Sequence, residues 1–237
     1  MLRPKFSPKK VIFFTVLILF ASGNTSYTKF KNLKKSQAPV NSTLSLYDTL
    51  QLSDIGLKET VFKQALAGWD QLKKSGQLER PDLLSIADLS QSSNSKRLYV
   101  IDMEKKIVLF NTYVSHGRNS GEEFACSFGN KQESYKSSLG FYLTGSSYSG
   151  THGLSMKLIG LEKGINHFAE QRGIVMHGAS YVSESFIRKY GRLGRSQGCP
   201  AVPEEDCQPI VSRIKEGSLF FIFYPDSNYF NCSSFYN

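Results

Sequence analysis

A histidine and a cysteine frame the most informative stretch of the chain. His177 ends an apolar run, GIVMHG at residues 173–178, and Cys199 follows a glycine-rich loop, GRLGRSQG at residues 191–198. Thiol chemistry on a carbonyl needs an imidazole beside the sulfur to take its proton. It also needs backbone that can turn amide N–H groups toward the carbonyl oxygen. A strand ending at His177 and a loop delivering Cys199 can meet in space and supply both. A thiolate paired with histidine ionises below the ordinary value of about 8.5, so a lowered thiol pKa is expected. Taken alone, one His and one Cys fit a core histidine and a structural cysteine equally well.

The elements around them read as β-rich. Apolar residues at helical spacing (Val61, Phe62, Ala65, Leu66, Trp69, Leu72) predict a helix starting near Ser53 or Asp54 and stopping at Gly76, with Trp69 in the core. Past Pro81 the pattern changes to strands. Residues 98–103 and 107–114 form a predicted hairpin, and further strands are expected at 140–144, 154–159, 173–177 and 219–224. Glycine- and serine-rich loops at 115–121 and 145–153 are expected between them. Short helices are predicted near 166–172 and over 203–215, the second with Pro203 and three acids suited to a first turn. Without βαβ alternation a doubly wound fold is excluded. The fold class expected is α+β and β-rich.

The strings in order resemble one family. SQGC at residues 196–199, preceded by HG and a spacer, resembles the signature of L,D-transpeptidases, cysteine enzymes that remodel peptidoglycan. More closely, GRLGRSQGCPAV resembles the murein L,D-transpeptidase catalytic-domain family. The likeness extends back through VSHGRNSG (114–121), SFGN (127–130), SSLGFY (137–142) and GLSM (153–156), covering roughly residues 95–224. It implies a β-sandwich of the L,D-transpeptidase type, with an N-terminal helix and short helices around the catalytic loop. Cys199 then matches the nucleophile and His177 the base. The Gly178 backbone carbonyl would hold the imidazole tautomer, and the Gly198 and Cys199 N–H groups would be oxyanion donors. The implied reaction attacks the carbonyl of the third-position diamino acid of a stem peptide, releases the terminal D-alanine, and passes the acyl group from a thioester to an amine. A β-lactam of the carbapenem type is expected to acylate Cys199. Gln197 and Ala201 depart from the His before Gly-Cys and the Arg or Asn after it that many transpeptidases carry, which leaves the substrate preference and acceptor open. Water could take the thioester instead, giving an L,D-carboxypeptidase or endopeptidase. A non-catalytic cell-wall-binding protein is the remaining alternative.

The other candidates are substrate contacts. Arg192 and Arg195 flank the nucleophile and could grip stem-peptide carboxylates, because an arginine fork orients a carboxylate through two parallel bonds. Ser196, Ser138 and His116 are further candidates for lining the cleft, and His167 reads as a surface residue. His116, His152 and His177 lack the acidic partners and spacing of a zinc site, so neither a metal nor another cofactor is expected. If one of the four cysteines is catalytic, at most one disulfide can form among Cys126, Cys207 and Cys232.

Charge distribution and the N-terminal pattern together lead to an expectation of export. Residues 1–35 hold eight of the 29 Lys/Arg and no acid, so the remainder is nearly balanced against 20 acidic residues. A basic face for nucleic acid is therefore not expected. A basic start followed by an apolar run at 11–21 and small residues reads as a secretory signal peptide over 1–23, or as an uncleaved anchor. Membrane contact, if any, is confined to that segment. A polar linker at 24–53 then leads to one catalytic domain at 54–237. The expected partner is the peptidoglycan stem peptide, met in the periplasm or cell envelope.

Overall fold

The computed structural model of the chain describes residues 45–151 and 153–236. The expected signal peptide, most of the linker and His152 lie outside the described residues. Eight strands join one mixed sheet in the order β3-β2-β1-β8-β4-β5-β6-β7. The class is the α+β, β-rich one expected, with the strands hydrogen-bonded in one continuous order. The strands are β1 Leu83–Asp88, β2 Leu98–Asp102, β3 Ile107–Thr112, β4 Gly140–Gly150, β5 Gly153–Gly160, β6 Val175–Gly178, β7 Ala201–Val202 and β8 Leu219–Phe223. β1 runs parallel to β8, and β6 parallel to β7; the other pairings are antiparallel.

The sheet centre is the most buried part because it is covered on its faces. The β8 sequence LFFIF is buried at every position, as a strand enclosed on both sides should be. Strand β1 is equally buried yet was not legible in the sequence. Ser85 and Asp88 interrupt its apolar pattern, and both are fully enclosed. Asp88 is accommodated by hydrogen bonds from Ser90 and Gln91 to its carboxylate.

Helix α1 spans Leu46–Thr49 and α2 spans Glu59–Lys74. The expected linker therefore ends early: α1 is closed by a Ser45–Asp48 capping box, and Leu50 and Leu52 are already in the core. On α2 the predicted apolar face is buried except for Leu66, which packs at its edge, while the Trp69 indole donates to Pro81 O at 3.1 Å. Three further helices follow: α3 Glu184–Tyr190, α4 Glu204–Ile214 and α5 Ser227–Cys232. Pro203 stands at the N-cap of α4, next to the acids that favour that end of the dipole.

Two local expectations are corrected. Residues 166–172 form successive turns rather than a helix. The buried Asn166 side chain donates to Leu139 and Phe141 carbonyls and accepts the Glu162 N–H, so side-chain bonds to β4 replace a helical ladder. Residues 145–150 are not a loop: β4 and β5 pair as far as Gly150 and Gly153, with a bulge between Thr144 and Ser147. Backbone pairing, not apolar alternation, makes that exposed extension a hairpin.

Gly68 shows how closely α2 lies on the sheet. A Cβ there would come within 2.3 Å of the Phe141 ring, which stacks on Phe221 at 4.2 Å between centroids. Alanine normally stabilises a helix interior over glycine by about 1 kcal/mol. Here we expect Gly68→Ala to destabilise by about 1–3 kcal/mol, the cost of overpacking a filled core. A denaturant midpoint at or above that of wild type would show that α2 can lift from Phe141 without loss.

Candidate active site

Strand pairing brings the histidine and cysteine together. In the parallel pair His177 lies opposite Ala201 and Gly178 opposite Val202. Counting back two residues along both strands sets Cys199 beside Val175, and the Val175 N–H indeed points at the sulfur at 3.5 Å. Alternate residues of a strand share a face, so His177 and Cys199 project to the same side. Both line one cavity of about 580 Å³. The thiol itself is directed to Gly173 O at 3.7 Å.

The loop before the sulfur is held by two serines. Ser196 Oγ accepts the Gly198 N–H at 3.0 Å and donates to Cys199 O at 2.6 Å. Ser137 Oγ accepts the Gly117 N–H at 3.0 Å and donates to Gly198 O at 3.2 Å. Gly117 pairs with Ser196 in a short parallel bridge, so residues 116–118 form a rail along the loop. Gly198 has φ +125°, and a Cβ there would lie 2.8 Å from Lys136 O, so only glycine fits. This bracing corrects one expectation: Ser196 engages the Gly198 N–H, which is not turned out as an oxyanion donor. The Val175 and Cys199 N–H groups are the backbone donors that act on the sulfur.

His177 is set up as an acceptor toward the cavity. Its Nδ1 lies 2.9 Å from Gly178 O. A carbonyl only accepts, so Nδ1 carries the proton and Nε2 keeps its lone pair. The expected low thiol pKa is also corrected. Burial pushes the Cys199 thiol above its ordinary value, opposed by the Val175 N–H and the positive field of Arg172. Tyr181 on the same wall is pushed up to about 12, chiefly by burial and then by Cys199, and stays a neutral phenol.

A thiol on a glycine-turned loop and an imidazole lining the same cavity are equipped for acyl chemistry. The model of the L,D-transpeptidase catalytic domain matches residues 53–223. The chain belongs to that family. The family is one of cell-wall transpeptidases. Similar solved structures include a mutant of the helical cell shape determining protein Pgp2 from Campylobacter jejuni, 14% identical with a TM-score of 0.41, covering 69% of this chain and 57% of that one. L,D-transpeptidase 3 from Mycobacterium tuberculosis, in complex with a faropenem-derived adduct, is 14% identical with a TM-score of 0.38 and 60% of each chain covered. An L,D-transpeptidase from Mycobacterium smegmatis is 12% identical with a TM-score of 0.37, over 60% of this chain and 59% of that one. The chain thus spans about three fifths of the length of these structures. No curated protein sequence matches it.

The remaining candidates divide. Ser196 and Arg195 line the cavity of this transpeptidase-family domain. Arg195 is paired with Glu122 at 2.7 Å, and Arg192 with the same carboxylate at 2.9 Å, outside the cavity lining. A substrate carboxylate would have to compete with this pairing, in which the largely exposed Glu122 takes one nitrogen of each guanidinium. Ser138 does not reach the cavity either; its hydroxyl donates to Gly129 O and accepts Arg172 Nη1 at 2.6 Å. Exposed His167 accepts the Gly164 N–H on Nδ1, at 2.9 Å. All four cysteines are free thiols, with Cys126 and Cys232 exposed and Cys207 buried against Gly178. The sequence reading missed Arg172, Tyr135, Tyr148 and Tyr181, which line the cavity. For Arg172 the signal was available, since it stands directly before the GIVMHG run that carries His177.

His116 is beneath the rail rather than in the cleft. Its Nδ1 accepts Arg97 Nη2 at 2.8 Å, and its Nε2–H donates to Gly121 O at 3.3 Å. Burial, then Arg97, pushes its pKa down to about 4. The unfolded chain takes this proton near 6.5, so between about 6.5 and 4 the unfolded state binds more protons than the folded one. Stability must then fall as pH drops through that window, by roughly 1.4 kcal/mol per pH unit and about 3 kcal/mol in all. In His116→Gln, whose amide oxygen can still accept from Arg97, this part of the acid-side loss should vanish. Equal slopes of unfolding free energy against pH in the two proteins would refute the assignment.

Proposed function

We propose that this protein is an exported cysteine L,D-transpeptidase that acts on peptidoglycan stem peptides through a Cys199 thioester. One observation carries the reading. The β6–β7 register puts Cys199 and His177 on one face of one cavity, with the imidazole Nδ1 spent on Gly178 O. Burial disfavours the Cys199 thiolate. Sulfur attack on the donor carbonyl is therefore coupled to transfer of its proton to His177 Nε2. The Cys199 N–H faces the oxyanion that forms, and collapse of the adduct expels D-alanine protonated by His177. An incoming amine gives its proton to His177 and takes the acyl group. Water in the amine's place would make the same site a carboxypeptidase. Export rests on the basic and apolar character of residues 1–23, which lie outside the described residues.

Incubation with disaccharide-tetrapeptide and mass analysis of the products tests this. A dimer linked between two diamino acids, with free D-alanine, is the expected outcome. Tripeptide and D-alanine alone would mean hydrolysis, and unchanged substrate would favour a cell-wall-binding role. Cys199→Ala should lose turnover by on the order of a millionfold, and Cys199→Ser nearly as much. Cys126→Ala and Cys232→Ala, which remove exposed thiols, should keep it. Turnover surviving in Cys199→Ala would overturn the mechanism.

A further inference from the structure

We propose that Arg172 is the cation that stabilises the Cys199 thiolate, a positioning residue that acts through the nucleophile; this rests on the reading of Cys199 above. Three observations put Arg172 near the sulfur. It directly precedes Gly173, whose carbonyl receives the thiol. Its Nη2 lies 3.2 Å from where a Gly198 Cβ would stand, so the guanidinium packs beneath the residue before the nucleophile. It also lines the cavity that holds Cys199.

What distinguishes Arg172 is that its charge is not cancelled. Its Nη1 donates to Gly129 O at 3.0 Å and Ser138 Oγ at 2.6 Å, and its Nη2 to Lys136 O at 2.6 Å and Ser134 Oγ at 3.4 Å. Carbonyls and hydroxyls fix the fork without neutralising it, so the positive field remains for the sulfur, and the two groups act on each other's ionisation in the expected senses. The other ionisable groups of the cavity are less suited. Arg195 is paired with Glu122, and Glu133, also in the cavity lining, would oppose a thiolate. Tyr135, Tyr148 and Tyr181 are phenols, and His177 is assigned to the base. Burial that disfavours the thiolate makes a held, unpaired cation the natural compensation.

The rate of Cys199 alkylation by iodoacetamide, read by peptide mass across pH, tests the idea on the full chain. In Arg172→Gln the midpoint of the pH profile should move up, slowing alkylation at pH 7 roughly tenfold, while the rates converge with wild type at high pH. Arg172→Lys should recover most of the loss, and Ser138→Ala, which removes a brace but not the charge, should keep the wild-type midpoint. A purely structural role predicts the reverse: an unmoved midpoint in Arg172→Gln, or no recovery in Arg172→Lys, overturns the proposal. If Arg172→Gln does not fold, the other two variants decide, since both keep a cation and a raised midpoint in either contradicts it. Adducts on another cysteine in wild type would instead strike at the reading of Cys199.

Discussion

The pairing of β6 with β7 is short, and the candidate site depends on it. Two residue pairs, His177 with Ala201 and Gly178 with Val202, fix the register by which the base and the sulfur reach the same face. A slip of one residue would turn one of them to the opposite face, because side chains alternate along a strand. So short a ladder cannot hold register alone. It is backed by α4, which packs so closely that a Cβ on Gly178 would lie 3.1 Å from Cys207 Cβ. On the other side stands the 116–118 rail, joined to the loop through Arg118 N–H to Ser196 O and Ser196 N–H to His116 O. The serines and glycines of the loop are thus positional parts of the site rather than chemical ones.

Charge in this region is handled by enclosure. Arg97 is fully buried, with its fork on Val114 O, Gln91 O and His116, and burial brings its pKa down to about 9. His116 stays neutral beside it. The result is a rigid base under the rail, in which each polar group of the pair has a partner. Above the rail, Glu122 gathers Arg192 and Arg195, and Arg172 is left with uncharged partners. A half-buried thiol in a cleft whose remaining cation is fixed in place can stay protonated at rest yet form a thiolate when its proton is taken.

Much of this was legible in the sequence, for physical reasons that differ by element. The α2 face, the β2–β3 hairpin and β8 declare themselves through period and apolar runs, since burial alone determines them. β1 and the outer half of the β4–β5 hairpin do not, because one carries buried polar residues and the other is exposed and held by backbone pairing. In the site, Cys199 and His177 were visible as types in a glycine context. The identities of their neighbours were not: whether Arg192, Arg195 or Arg172 faces the sulfur depends on where Glu122 and the 129–138 segment fold, and no local pattern encodes that. The same holds for His116 and Ser138, whose polar character suggested a cleft but whose partners are buried carbonyls and arginines. The thiol pKa was expected in the wrong direction because sequence shows the imidazole but not the depth of burial.

The central claim is that Cys199, with its proton passed to His177, forms a covalent acyl-enzyme with a stem peptide. Acid-quenched intact mass of the protein caught during turnover of disaccharide-tetrapeptide, followed by peptide mapping, tests this most directly. The account predicts a mass increase equal to the donor minus D-alanine, located on the peptide that contains Cys199 and absent from His177→Ala. Product formation with no acyl adduct at any time, or an adduct mapped to Cys126, Cys207 or Cys232, would contradict it.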